Sequence, residues 1–286
     1  MVDRLRRSFL YTPADAPDMM EKAANADSDA ITFDLEDAVR PEDRPAAREN
    51  LRAILAAVDF GTTEIATRIN AVGTDDWRAD LETAVEAGVD TVTVPSVETP
   101  EAVVQVVSAV RRLTDEPPEL ILLLESPEGV FDGRAIAAVA GRHREVTALS
   151  FGVGDYARAT GGEPTSDRIR EFLNHRIVGF AAIGGLQPIS SVFPDVNDTD
   201  RLRVVAERAV ELGFVGQSVI HPDQVAAVNE VFTPDDAAVD AARAHVAAYE
   251  ASDRGAFVHD GVFLDEAIVE RYRRLVARAE ALGARS

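Results

Sequence analysis

The chain has 286 residues, with 29 lysine and arginine residues against 50 aspartate and glutamate residues, giving a formal net charge of −21 at pH 7. So acidic a surface repels phosphate backbones and anionic bilayers, which argues against nucleic-acid binding and membrane binding. Cysteine is absent, which excludes disulfides, thiol nucleophiles and thiolate metal sites. No apolar run is long enough to span a bilayer and the first residues lack a signal peptide, so we expect a cytoplasmic protein.

Strand-like apolar segments alternate with amphipathic helical segments along most of the chain. The predicted strands are residues 7–12, 30–36, 64–70, 91–95, 120–124, 147–151, 186–192 and 215–220. The predicted helices are residues 17–27, 42–58, 77–87, 100–113, 133–139, 167–183 and 199–212. Eight such alternations, with no Gly-x-Gly-x-x-Gly segment after the first strand, favour a single (β/α)₈ TIM barrel over a doubly wound sheet.

The C-terminal segment has a different pattern from the rest of the chain. We predict helices over residues 235–252 and 265–282, joined by a glycine-containing extended stretch at 255–263. Residues 1–234 are therefore expected to form the barrel, and residues 235–286 a C-terminal helical lid and oligomerisation arm. The acidic composition, with Lys22 as the only lysine, also resembles that of halophilic proteins.

Polar residues at the ends of the predicted strands are the candidates for binding and catalysis, because barrel enzymes bind ligands at the carboxyl ends of their strands. They are Asp34, Glu36 and Asp37 after the second strand, Arg68 and Asn70 at the third, Glu125 after the fifth, Asp155 after the sixth and His221 after the eighth. We expect these side chains to surround one opening.

Glu125 and Asp155 are candidate ligands for a hard divalent cation. Glu125 follows the apolar run 120–124, where an unpartnered charge would be costly. Mg²⁺, or Mn²⁺ in its place, takes one or two carboxylates and fills its other positions with water and substrate oxygens. The alternative is structural: either carboxylate could cap a helix or form an ion pair in its turn.

Two basic residues, Arg68 and Lys22, are considered for binding and catalysis. The planar guanidinium of Arg68 would suit a substrate carboxylate, and it could instead, or in addition, form salt bridges to Glu36 or Asp37. A Schiff-base mechanism would require Lys22, the only lysine in the chain. Its place inside a predicted helix, away from the strand ends, argues against that mechanism.

Six segments resemble, in the same order, the motifs of the citrate lyase beta-subunit-like proteins. They are RSFLYTPAD (7–15), FDLEDAV (33–39), TRIN (67–70), LLESPEGV (123–130), LSFGVGD (149–155) and VIHPDQ (219–224). These proteins belong with malyl-CoA and citramalyl-CoA lyases among metal-dependent aldolases that have pyruvate-kinase-like, phosphoenolpyruvate-binding barrels. The likeness covers nearly the whole chain.

The resemblance implies a role for each matching residue. Glu125 and Asp155 match Mg²⁺ ligands, with Glu125 also next to the substrate, and Arg68 matches the arginine that binds the substrate's carboxylate and keto or hydroxyl oxygens. Apart from the resemblance, Glu36 and Asp37 could hold Arg68 by salt bridges while it faces the ligand.

Further matches concern coenzyme A. Tyr11, Lys22 and the turn of Ile220 and His221 match positions that contact it in the family. Asp18 stands where some relatives carry a basic residue for the CoA phosphates, which bears on affinity for the nucleotide end.

The segment 261–265 resembles a tail motif of the complete lyases, Gly-x-Met-Ile-Asp, with Phe263 in place of methionine. In those enzymes the aspartate reaches a neighbouring subunit and acts on the α-carbon of the thioester. The resemblance therefore implies that Asp265 is catalytic and that the protein is a homotrimer or a hexamer of two trimers. Stand-alone citrate lyase beta subunits typically lack this element.

The expected activity is that of a Mg²⁺-dependent carbon–carbon lyase. It would cleave malyl-CoA, methylmalyl-CoA or citramalyl-CoA, reversibly, to a 2-oxo acid such as glyoxylate and a short acyl-CoA. One alternative keeps the site but lets water attack the thioester, as in a malyl-CoA thioesterase or a malate synthase-like enzyme. A second is a non-catalytic subunit that only binds a CoA thioester.

Overall fold

The structure, a computed structural model, describes residues 6–283. Eight parallel strands form a closed barrel in sequence order, and β8 pairs with β1 to close it. The barrel predicted from the alternation is therefore confirmed. The strands are β1 (Ser8–Pro13), β2 (Ala30–Asp34), β3 (Glu64–Arg68), β4 (Thr91–Val94), β5 (Glu119–Leu123), β6 (Val146–Ser150), β7 (Gln187–Ser190) and β8 (Gly216–Val219).

Helices follow the strands around the barrel. They are α1 (Pro17–Ala23), α2 (Arg44–Ala57), α3 (Trp77–Ala87), α4 (Pro100–Leu113), α5 (Pro127–Ala140), α6 (Val153–Thr160), α7 (Asp167–Gly184), α8 (Thr199–Leu212) and α9 (Pro222–Phe232), with a short 3₁₀ turn at Pro41–Asp43 before α2. None of the helices in residues 6–283 is long and apolar enough to cross a membrane.

Local sequence explains the helix boundaries that the predictions matched. Thr99 caps α4 by accepting a hydrogen bond from the Ala102 amide, and Pro100 fits the first turn, where no amide donor is needed. Helix α3 ends at Gly88, whose φ of 75° is the left-handed conformation that glycine adopts without strain.

Three helices differ from the predictions. α6 and α9 were not predicted, and α5 starts at Pro127, six residues before the expected start. α6 has only 8 residues and begins in the glycine-containing segment GVGD, which reads as a loop. α1 ends at Ala23, which places Lys22 in the last helical turn.

Small and aliphatic side chains fill the barrel interior. Phe9, Ala30, Ile121, Leu123, Ala148 and Ile189 form one buried cluster, against which Tyr11 and Val215 pack. Below it, the guanidinium of Arg6 donates to Glu64 on β3 and to Glu119 on β5, both at the amino ends of their strands. Arg6 thus ties together the amino ends of β3 and β5.

The described chain divides into two compact units, residues 6–229 and residues 230–283. The second contains α10 (Asp236–Glu250), the hairpin strands β9 (Ala256–His259) and β10 (Val262–Asp265), and α11 (Glu266–Gly283). Where an extended stretch was predicted, the chain forms an antiparallel hairpin. Its role as a lid and oligomerisation arm stays a prediction, and residues 1–5 and 284–286 of the predicted domains lie outside the described residues.

Candidate active site

A cavity of about 380 Å³ lies at the carboxyl ends of the barrel strands. It has the size of a small-molecule site. Its lining includes Tyr11 from β1, Asp34 and Asp37 at the end of β2, Arg68 from β3, Glu125 after β5, the segment 150–155 after β6, Ser191 and Val192 after β7, and Ser218 and Ile220 from β8. All of them belong to the barrel unit.

Glu125 is fixed by hydrogen bonds on one side of its carboxylate. Glu125 is only 5% exposed. Its Oε1 accepts hydrogen bonds from the backbone amide of Ser96 at 2.9 Å and from the Ser96 hydroxyl at 3.2 Å. Burial, reinforced by repulsion from the Asp155 carboxylate, raises the pKa of Glu125 to about 7. The other oxygen, Oε2, is thereby directed towards the β6–α6 turn.

Asp155 approaches the same point from the first turn of α6. Its Oδ1 accepts a hydrogen bond from Arg158 Nη2 at 2.6 Å. A Cβ atom placed on Gly152 would lie 2.6 Å from Glu125 Oε2 and 3.1 Å from Asp155 Oδ2. The two free carboxylate oxygens therefore flank one small space, which exists because residue 152 has no side chain.

This pair of oxygens fits a hard divalent cation. Two like charges that face one buried space repel each other, and a cation between them removes that repulsion. Residues 6–283 contain no group of three or more His, Cys, Asp or Glu side chains suited to a metal. A two-carboxylate site is nevertheless what Mg²⁺ commonly uses, because water and substrate oxygens complete its octahedron.

Arg68 is held mainly by Asp34, its direct neighbour in the β2–β3 pairing. Nε donates to Asp34 Oδ1 at 2.7 Å and Nη2 to Oδ2 at 2.5 Å. Nη1 lies 3.1 Å from Glu36 and 3.2 Å from Asp37, and the ring of Tyr11 packs against the guanidinium, 5.4 Å away. One edge of the guanidinium is therefore occupied, and a ligand would meet the Nη1 and Nη2 end.

Glu36 and Asp37 differ in their surroundings. The Asp37 side chain is 62% exposed and lines the cavity. Burial, reinforced by repulsion from the nearby carboxylates, raises the pKa of Glu36 to about 9 despite the attraction of Arg68. At neutral pH Glu36 is thus mostly protonated, and it supports Arg68 as a neutral group more than as an anion.

The residues matched to coenzyme A lie on one side of the barrel. The β8–β1 pairing brings Ile220 close to Tyr11, although 209 positions separate them in the chain, and both line the cavity. Burial raises the pKa of the Tyr11 phenol well above its usual value. His221 and Lys22 are exposed and are not among the lining residues, with His221 Nδ1 accepting from the Asp223 amide at 3.2 Å. Asp18 is also exposed, on α1.

Asp265 is in the second unit, as the last residue of β10 directly before α11. Its Oδ1 accepts a hydrogen bond from the Ile268 amide at 2.9 Å, which is the geometry of a helix N-cap. Asp265 therefore caps α11 in this structure, whatever further role it has. One carboxylate oxygen is engaged in the cap, and the cap leaves Oδ2 to a second role.

Residues 7–222 match the HpcH/HpaI aldolase/citrate lyase family. The chain belongs to this family. A (3S)-malyl-CoA thioesterase of Cereibacter sphaeroides is 33% identical to it over 97% of this chain and 96% of the relative. An L-malyl-CoA/beta-methylmalyl-CoA lyase of Rhodobacter capsulatus is 33% identical over 97% of this chain and 95% of the relative.

Solved structures of the family share the architecture. The CitE protein of Mycobacterium tuberculosis, in complex with magnesium, acetoacetate and coenzyme A, superposes with a TM-score of 0.79 at 28% identity, over 96% of this chain and 98% of that chain. The predicted family resemblance and the barrel class are both confirmed, and the protein is an enzyme of a lyase family.

Several residues of the site escaped the sequence analysis. Asp34 was noted only as a strand end, although its register opposite Arg68 makes it the main partner of that side chain. Ser96 gave no signal, because it follows a different strand and meets Glu125 only in the folded barrel. Arg158 lies three residues after Asp155 on α6, and it was missed because that helix was not predicted. Gly152 could have been noticed as the residue between a strand end and an acidic helix start.

Proposed function

We propose that the protein is a Mg²⁺-dependent carbon–carbon lyase that acts on a malyl-CoA-type 3-hydroxyacyl-CoA. The substrate would be malyl-CoA, methylmalyl-CoA or citramalyl-CoA, and the products a 2-oxo acid such as glyoxylate and a short acyl-CoA, in a reversible reaction. The observation that carries this proposal is the placement of Glu125 Oε2 and Asp155 Oδ2 around one space in the cavity that Arg68 lines. The similarity to malyl-CoA lyases over 97% of the chain supports it.

Each residue of the cavity would have a separate role in the reaction. Glu125 and Asp155 would hold Mg²⁺, which supplies a Lewis acid for the oxygens of the 2-oxo acid. Arg68, oriented by Asp34, would bind the carboxylate of that acid through the N–H groups of Nη1 and Nη2 that Asp34 does not use. Cleavage removes the proton from the 3-hydroxyl group and passes the electrons of the broken bond to the thioester enolate, whose α-carbon then takes a proton.

We propose Asp265 as the group that protonates the enolate carbon in cleavage and abstracts its proton in condensation. The family resemblance of the segment 261–265 supports this role, and the tail would supply it to a neighbouring subunit of a homotrimer or hexamer. Within residues 230–283 the N-cap bond uses Oδ1, which leaves Oδ2 for proton transfer.

A thioesterase reaction is the second candidate, because a (3S)-malyl-CoA thioesterase is as similar to this chain as the lyase is. In that reaction water attacks the thioester carbonyl, the carbon–sulfur bond breaks, and free CoA leaves with malate. The same cavity would bind the substrate in both cases.

The products distinguish the two reactions. The purified protein is incubated with Mg²⁺ and each of malyl-CoA, methylmalyl-CoA and citramalyl-CoA, and free CoA is measured against acyl-CoA and 2-oxo acid. We expect acyl-CoA and a 2-oxo acid in equal amounts, whereas free CoA as the product would establish hydrolysis. We also expect excess chelator to abolish turnover and Mg²⁺ to restore it; full activity in chelator would contradict the proposal.

A further inference from the structure

Three consecutive backbone carbonyl groups after β7 accept hydrogen bonds from buried side chains of two different helices. Arg170 on α7 donates to the carbonyl oxygen of Ser191 at 3.4 Å and to that of Val192 at 2.7 Å. Gln224 on α9 donates from Nε2 to the carbonyl oxygen of Phe193 at 3.0 Å. Loop carbonyls usually face water, so such an arrangement fixes the start of this loop.

Gln224 also connects this loop to the next one. Its Oε1 accepts a hydrogen bond from the Ile220 amide at 3.0 Å, directly after β8. The residue is only 2% exposed, so both bonds are shielded from water. One side-chain amide therefore ties the β7–α8 loop to the β8–α9 turn.

Arg170 is charged although it is buried. Burial lowers the pKa of Arg170 to about 10, so the guanidinium is still protonated at neutral pH. A buried cation is costly unless hydrogen bonds satisfy it. The carbonyl oxygens of Ser191 and Val192 accept such bonds. The loop must therefore keep this position for the charge to stay buried.

These loops form one wall of the cavity, made of Ser191, Val192, Ser218 and Ile220, which we call the β7–β8 wall. The wall carries no charged side chain. Charged residues of the lining, among them Arg68 on β3, belong to β2, β3, β5 and β6, and in an eight-stranded barrel β3 lies across from β7. The small anionic 2-oxo acid suits the charged side. The long, neutral, amide-containing arm of an acyl-CoA suits the β7–β8 wall.

We propose that Gln224 and Arg170 are positioning residues for the acyl-CoA part of the substrate, which they serve by holding the β7–β8 wall in place. The proposal rests on the proposed function, because it assumes that the cavity takes a CoA thioester. It assigns roles to two side chains that touch neither the carboxylate pair nor Arg68.

The test compares Gln224→Met with Asn229→Met. Asn229 is a second buried amide on α9, but it donates to the Asp27 carbonyl oxygen and accepts from Ser8, at the opposite end of the barrel. Acetyl-CoA binding is measured by calorimetry, and KM for acetyl-CoA and for glyoxylate is measured in the condensation direction. Thermal unfolding of both variants shows how much each loses in stability.

We expect Gln224→Met to raise the Kd and KM for acetyl-CoA about tenfold, the effect of losing roughly one well-placed hydrogen bond. KM for glyoxylate and kcat should change by less than about twofold. Asn229→Met should lose similar stability without changing either KM. Arg170→Lys, which keeps the charge but not the geometry, should raise the same acetyl-CoA constants.

Unchanged acetyl-CoA constants in Gln224→Met, or an equal rise in Asn229→Met, would overturn the inference while leaving the proposed function intact. If Gln224→Met does not fold, Gln224→Glu serves instead: its carboxylate keeps an acceptor for the Ile220 amide and replaces the donor to the Phe193 carbonyl oxygen by a second acceptor, which that oxygen repels; the same rise is expected. A wild-type protein that neither binds acetyl-CoA nor cleaves a malyl-CoA-type thioester would overturn the proposed function and this inference together.

Discussion

At the scale of single residues, Arg68 is oriented before any ligand binds. Asp34 holds two of its nitrogen atoms, Glu36 and Asp37 lie beside the third, and the guanidinium also packs on the ring of Tyr11. Such pre-organisation lowers the cost of ordering a side chain when substrate arrives. The salt bridges that hold Arg68 therefore also place it in the orientation proposed for substrate binding.

Replacing Arg68 by lysine should weaken binding of the 2-oxo acid. Lysine keeps the charge, but a single nitrogen cannot bridge both oxygens of Asp34 and still reach a ligand. We expect KM for glyoxylate to rise at least about tenfold, with little change in KM for acetyl-CoA, measured in the condensation direction. Arg48→Lys is the matched control, because Arg48 also bridges two carboxylates, of Asp76 and Asp80, outside the cavity. An equal rise in KM for both substrates would show that Arg68 only forms structural salt bridges.

Glu36 should make the metal-free protein less stable as pH rises. Its pKa is about 9 in the folded protein, against an ordinary value near 4.3 in the unfolded chain. The unfolded state therefore releases the proton first, and the free energy of unfolding falls between about pH 4.5 and pH 9.

We expect Glu36→Gln to be more stable than wild type at pH 8, by several kcal/mol, and equal to it near pH 4. Urea unfolding in chelator at several pH values measures this difference. Glu49→Gln, at an exposed position on α2, should show no such pH dependence. A difference that is the same at every pH would show that Glu36 is not protonated in the folded protein.

At the scale of elements, the turn from β6 to α6 builds the carboxylate pair. Asp155 lies in the first helical turn, where the helix dipole favours a negative charge. Gly152, the residue before the helix, leaves the space that Glu125 Oε2 and Asp155 Oδ2 share. A short helix that the sequence pattern did not reveal is thus responsible for half of the proposed metal site.

Gly152→Ala should strongly weaken metal binding. Its Cβ would lie 2.6 Å from Glu125 Oε2, inside van der Waals contact, and would fill the proposed cation position. We expect Mg²⁺ affinity, measured by calorimetry, to fall at least about tenfold, and lyase activity with it.

Gly154→Ala provides the control within the same turn, because a Cβ there meets no atom within 4 Å. That variant should bind Mg²⁺ as the wild type does. Normal Mg²⁺ affinity in Gly152→Ala would show that the cation does not bind between these two oxygens.

At the scale of the whole molecule, the proposed catalytic set draws on both units. Arg68, Glu125 and Asp155 belong to residues 6–229, whereas Asp265 belongs to residues 230–283. The family match ends at residue 222, before the residues that contain Asp265. Whether Asp265 acts in the site of a neighbouring subunit therefore depends on how the subunits assemble.

Mixing two inactive variants tests whether subunits share sites. Asp265→Asn keeps an acceptor for the Ile268 amide and so keeps the helix cap, but removes the acid-base group. Arg68→Ala removes the substrate-binding group. Each protein alone should be nearly inactive, and a mixed oligomer, confirmed by co-purification through two tags, should regain measurable activity at sites that combine intact residues from both chains.

Two outcomes would contradict this arrangement. Full activity of Asp265→Asn alone would reduce Asp265 to a helix cap. A mixed oligomer without recovered activity would place Asp265 and Arg68 of one site on the same chain.

The sequence by itself determined the barrel and the identity of its charged candidates. Eight apolar strands alternate with helices, and a closed parallel barrel buries all eight at once, so pattern alone selects the fold. The carboxyl ends of strands converge in such a barrel, which is why Arg68, Glu125 and Asp155 line one cavity as expected.

Only the tertiary structure decided how those candidates are held. The partners of Arg68, Glu125 and Asp155 include Asp34, Ser96 and Arg158, and two of these pairs join different strands. Register and barrel closure bring such pairs together, and neither leaves a mark in local sequence because it depends on atoms far along the chain. The same holds for Gln224, whose side-chain amide meets the β7–α8 loop only after α9 has packed on the barrel.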